Sequence, residues 1–145
     1  MVKFFNQEEE AQIIAAIRAA ELATSGEIRV HVEVGARKPA LEVATRIFQE
    51  LEMENTQDRN AVLILLAVDR REFAILGDVG INKVVPEDFW ATERDLMQQH
   101  FKRGEFATGI ELVIQQIGEK LKTYFPYQTD DVNELPDEIS YNKSK

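Results

Sequence analysis

The chain has 145 residues, 44% of them hydrophobic, which is enough to bury one sizeable core but not two, so a single domain is expected. Acidic side chains outnumber basic ones by 26 to 17, and the formal net charge of -9 repels nucleic-acid phosphates and anionic membrane surfaces while attracting cations and basic partners. The absence of cysteine excludes disulfides, thiolate nucleophiles, Cys-ligated zinc and iron–sulfur centres on this chain.

The N-terminus carries no apolar leader and no later run is long enough to span a bilayer, so a cytoplasmic protein without membrane insertion is expected. Asn6 and Glu9 have capping-box spacing, and Ile13, Ile14, Ile17 and Leu22 recur at helical intervals, predicting a helix over 7–23. After the break at Thr24-Ser25-Gly26, residues 27–34 alternate strictly: Ile28, Val30, Val32 and Val34 share one face, and Glu27, Arg29, His31 and Glu33 the other. That pattern predicts a half-covered strand near a sheet edge.

Leu41, Val43, Ala44, Ile47, Phe48 and Leu51 predict a second amphipathic helix, followed by a polar connector that begins at Glu52. The run AVLILLAV, residues 61–68, is aliphatic throughout and reads as a strand buried on both faces. The βαβ rule makes it parallel to the first strand. Asp69-Arg70-Arg71-Glu72 predicts a tight turn into a third, antiparallel strand over Phe73–Leu76, and residues 77–82 a glycine-punctuated loop. A helix is predicted from Pro86 to the stop at Gly104, and a last one carrying Phe106, Ile110, Val113, Ile114, Ile117 and Leu121. The domain is expected over residues 1–125, with 126–145 an acidic tail, mobile or draped over the body. The order α-β-α-β-β-α-α predicts an α/β fold with a mixed sheet of three or four strands flanked by about four helices.

This topology gathers carboxylates. The start of strand one, the connector before strand two and the loop after strand three fall at one end of the sheet, bringing together Glu27, Glu52, Glu54, Asp58 and Asp78, with neutral oxygens from Asn55, Asn60 and Asn82. An all-oxygen donor set of this kind suits Ca2+ or Mg2+. The competing reading is solvated loop acids, with Asp78 an Asx-turn residue between glycines. At the opposite end, Glu33, Asp69, Arg70 and Arg71 lie where open α/β sheets bind ligands, or simply form a charged turn. His31 could act as a general base or pack beneath a helix. His100 suits a helix C-terminus, and Phe89 and Trp90 read as core.

The segments Thr24–Val30, Arg59–Ile64, Phe73–Ile81 and His100–Gly109 resemble the TPM domain family over roughly residues 5 to 125. The resemblance implies a three-layer αβα sandwich. The family includes thylakoid-lumen proteins linked to photosystem II repair, for which acid phosphatase activity and calcium binding have been proposed, and a membrane-anchored modulator of acetylcholine receptors. Set beside the residues, it implies a divalent-cation-binding domain with a regulatory or interaction role and a protein partner, its metal held by Glu27, Glu52, Glu54, Asn55, Asp58 and Asp78. The alternative is a metal-assisted, phosphatase-like hydrolase using Arg59 or Lys83 as anion ligands, with no catalytic side chain assigned.

Overall fold

The computed structural model describes residues 4–127 and 138–144. In chain order its elements are α1 (Gln7–Ala23), β1 (Glu27–Val34), α2 (Ala40–Glu50), β2 (Ala61–Ala67), β3 (Glu72–Gly77), α3 (Val79–Asn82), α4 (Ala91–Lys102), α5 (Phe106–Tyr124) and β4 (Ser140–Lys143). The strands form one sheet in the order β3-β2-β1-β4, with β1 parallel to both β2 and β4, and β3 antiparallel to β2.

The alternation read from β1 decides which layer covers which face. Ile28, Val30 and Val32, with Val62, Ile64 and Leu66 of β2, meet residues of α1, α4 and α5 in the larger core. Ala61, Leu63, Leu65 and Ala67 face the other way and meet Val43, Ala44, Ile47 and Phe48 of α2. The result is the expected three-layer αβα sandwich. Gly118 lets α1 and α5 approach closely, since a Cβ there would lie 2.8 Å from the Cβ of Ala20.

The capping box forms as expected: the Asn6 side chain accepts from the Glu9 N–H and the Glu9 side chain accepts from the Asn6 N–H. Other boundaries moved for physical reasons. Phe89 and Trp90 are consecutive and both buried, stacked edge to face at 4.7 Å, which a turn closed by the Phe89 N–H on the Pro86 carbonyl permits; α4 therefore begins at Ala91 rather than Pro86. The loop after β3 contains the single helical turn α3, whose N-cap is Asp78.

The acidic C-terminal segment supplies a strand. Residues 128–137 of that segment lie outside the described residues, but 140–143 pair with β1 from His31 to Val34. β1 is accordingly an interior strand, buried over almost its whole length, instead of the half-covered edge strand expected. Among the described residues, no helix is long and apolar enough to cross a membrane.

Candidate functional site

The acidic end of the sheet is organised by strand register. Glu27 pairs with Ala61, and the Asp78 N–H donates to the Ala61 carbonyl at 3.0 Å, so Glu27, Ala61 and Asp78 form a row across β1, β2 and the residue that follows β3. Alternation places that row on the α2 side, because Ala61 packs in the α2 core while Gly77, next to Asp78, faces Trp90 on the other side. The two acidic backbones are thus about two strand spacings, roughly 9–10 Å, apart with only a methyl group between them. Both acids are buried, Glu27 at 4% and Asp78 at 5% exposure, and Asn60 beside them is buried too.

The connector approaches this row because glycine allows it. A Cβ on Gly80 would lie 2.0 Å from the Asp58 carbonyl oxygen and 2.6 Å from that of Arg59, and the Gly80 N–H donates to the Arg59 carbonyl at 2.9 Å. The 58–59 and 78–80 segments therefore touch backbone to backbone. Arg59, itself in the left-handed region at φ 49, turns its guanidinium onto Asp78: Nε donates to Oδ2 at 2.7 Å and Nη2 to Oδ1 at 2.9 Å. Asp78 Oδ1 also accepts from the Val79 N–H at 2.7 Å, capping α3. The hydrogen bonds to Asp78 raise the Arg59 pKa above its ordinary value against the opposing effect of desolvation, and the nearby charges of Asp78 and Glu54 add to the rise.

Of the six side chains expected to hold a metal, Asp78 is paired with Arg59 and Glu54 is near enough to act on its charge, Glu27 is buried two strand spacings from Asp78, and Glu52, Asn55 and Asp58 are exposed on the connector. Glu54 is half-buried, and its Oε2 is fully buried without a hydrogen-bond partner among the described residues. With Arg59 seated on Asp78, no three acidic or histidine side chains among the described residues converge tightly enough to hold a metal ion. The phosphatase-like alternative has Arg59 or Lys83 as an anion ligand; in the structure the Arg59 guanidinium is the counterion of Asp78. The signal was available in the crowding of like charges at one sheet end, which requires an internal cation.

The opposite end is a closed polar network. Glu33 is fully buried and accepts from His31 Nε2 at 2.9 Å, Arg46 Nη2 at 2.8 Å, Asn142 Nδ2 at 3.1 Å and the Ser144 hydroxyl. Burial alone would raise its pKa, but the bonds from Ser144, His31, Arg46 and Asn142 together hold it below the usual carboxylate value. His31 is pushed below its ordinary value, first by burial and further by Arg29 and Arg46, against the hydrogen bond and charge of Glu33. A neutral imidazole that donates from Nε2 to Glu33 accepts at Nδ1 from the Ser140 hydroxyl, 2.6 Å away. Both ring nitrogens are thus engaged, which fits the packed reading of His31 better than a general base. Asp69 accepts from the Gly35 N–H, and Arg70 Nε donates to Glu72 at 3.0 Å, so the Arg70 and Glu72 charges of the β2–β3 turn neutralise each other. His100, near the end of α4, pairs with Glu105 at 2.9 Å.

Three comparisons bear on this arrangement. The family model of the TPM domain matches residues 1–120. The BA42 protein from the psychrophilic bacterium Bizionia argentinensis, solved by NMR, is 45% identical and superposes with a TM-score of 0.91 over 97% of each chain. Two further NMR structures share the fold: an N-terminal domain from P. gingivalis (17% identity, TM-score 0.70, 86% of this chain and 82% of that one) and the N-terminal domain of cg2496 from Corynebacterium glutamicum (13% identity, TM-score 0.62, 94% and 80%). No curated protein matches the chain.

Proposed function

The chain belongs to the TPM domain family, and from that footing we propose that it is a binding module whose acidic sheet end takes a divalent cation, Ca2+ or Mg2+, when Arg59 leaves Asp78. The observation that carries the reading is the buried Oε2 of Glu54, without a hydrogen-bond partner among the described residues and close to an arginine that pairs with Asp78. A buried polar atom without a partner costs about 1–3 kcal/mol, more for a charged group, and an oxygen-seeking cation relieves that cost.

Glu27, Glu54 and Asp78 would supply charged oxygens and Asn60 a neutral one, with Glu52, Asn55 and Asp58 on the same connector available to a site that closes from solvent. The metal would link the connector to the loop after β3, fixing two segments that already touch and changing the surface offered to a protein partner. Arg59 is then a built-in competitor: it holds the metal-free arrangement together and must move for the ion to enter.

That competition makes the reading testable by calorimetric titration of CaCl2 and MgCl2 into the wild type, Asp78→Asn and Arg59→Gln. The expected result is sub-millimolar binding to the wild type, weakened roughly tenfold or more by Asp78→Asn, about 1.4 kcal/mol. Arg59→Gln is expected to bind more tightly than wild type. Absent binding, or equal weakening by both variants, contradicts the proposal.

A further inference from the structure

At the other end of the sheet, a cavity of about 790 Å³ opens between the β2–β3 turn, the end of α4 and the start of α5. Its size is within the roughly 300–1,000 Å³ of small-molecule sites. Phe4, Phe73, Phe101 and Phe106 line it in a continuous edge-to-face series: Phe73 to Phe101 at 5.3 Å, Phe101 to Phe106 at 4.8 Å and Phe106 to Phe4 at 5.3 Å. Phe4 is 37% exposed, so this aromatic surface reaches solvent.

Two exposed cations, Arg71 and Lys102, also line the cavity, and neither forms an ion pair among the described residues. The lining acid, Glu72, does not neutralise them, because its Oε1 already accepts from Arg70 at 3.0 Å and from the Ala40 N–H at 3.1 Å. Arg71 occupies the left-handed region at φ 52, where asparagine or glycine fits more easily, so backbone preference does not account for an arginine at that point. An aromatic wall with two uncompensated cations on a chain of net charge -9 is complementary to a ligand with an apolar body and an anionic head.

We propose that this groove binds an amphipathic carboxylate, its aliphatic chain against the phenylalanines and its carboxylate on Arg71 and Lys102. The site is independent of the acidic residues, which lie at the opposite end of β2 and β3. The carboxylate makes charge-assisted hydrogen bonds to both cations, while the chain displaces water from aromatic surface.

The test is an amide NMR titration of the full chain with decanoate and, separately, decanol, both below micelle formation. Expected are saturable shifts centred on Phe73, Phe101 and Lys102, with decanoate binding roughly tenfold more tightly than decanol. That preference should vanish in the Arg71→Gln/Lys102→Gln double variant, whose remaining spectrum is unchanged. No saturable shift, equal binding of the two probes, or a preference that survives the double variant overturns the proposal. So does a concentration-dependent dimer that maps to the same amides and resists decanoate, because the occupant would then be a second copy of the chain.

Discussion

Gly80 and Arg59 do at the residue scale what net charge alone could not foretell. Glycine at position 80 is required because any Cβ would collide with the Asp58 carbonyl, so Gly80→Ala must push the connector away from the loop after β3. The expected cost is about 1–3 kcal/mol in urea unfolding, the range for forcing an extra methyl into a filled space. A change within a few tenths of a kcal/mol would mean that the two segments do not pack as described. His31 offers a second residue-scale prediction. Its folded pKa is depressed below the ordinary 6.5, so the stability it contributes is present above that value and is lost as pH falls toward the folded pKa. Glu33 is depressed too, but its loss begins only below its ordinary 4.5. Stability measured between about pH 6.5 and 5 should therefore fall with a slope of up to about 1.4 kcal/mol per pH unit from His31, and His31→Gln should flatten that slope. An unchanged slope would show that His31 titrates normally.

Among the elements, β4 departs most from the sequence reading. Ser-Tyr-Asn-Lys has neither alternation nor apolar weight, and its partners lie about a hundred residues away, so no local signal marks it as a strand. Its place follows from the polar face of β1, where Ser140 bonds His31 and Asn142 and Ser144 bond Glu33, while on the other face the Tyr141 hydroxyl donates to Glu10 of α1 at 2.6 Å. The His31 and Glu33 end of that polar face is thereby buried with its side chains hydrogen-bonded, whereas Arg29 Nε, nearer the start of the strand, is buried without a hydrogen-bond partner among the described residues. Removing two of the donors through Asn142→Ala with Ser144→Ala should cost about 2–4 kcal/mol, because it leaves a buried carboxylate short of partners. In a Glu33→Gln background the same pair should cost much less; equal costs in both backgrounds would place the stabilisation elsewhere. By contrast α1, β1 and β2 were legible because capping spacing, strict alternation and an unbroken aliphatic run are local signals. The start of α4 was not, since burial of both Phe89 and Trp90 overrode the helical preference of Pro86.

For the molecule as a whole, topology placed the acidic loops at one end of the sheet, and the register of Glu27, Ala61 and Asp78 gave that placement a geometric form. What topology could not supply is side-chain direction: it gathered Glu52, Asn55 and Asp58 with the others although they are exposed on the connector, and it left Arg59 out. The cation reading consequently rests on competition between a metal and an internal arginine, with the fold of the helices and sheet unchanged by the exchange. The most direct test is an amide NMR titration of the full chain with Ca2+. The expected result is a saturable set of shifts confined to residues 52–60, 78–82 and the start of β1, complete below millimolar metal and displaced roughly tenfold or more to higher metal in Asp78→Asn. Shifts scattered over the acidic surface, or appearing only at millimolar metal, would contradict it.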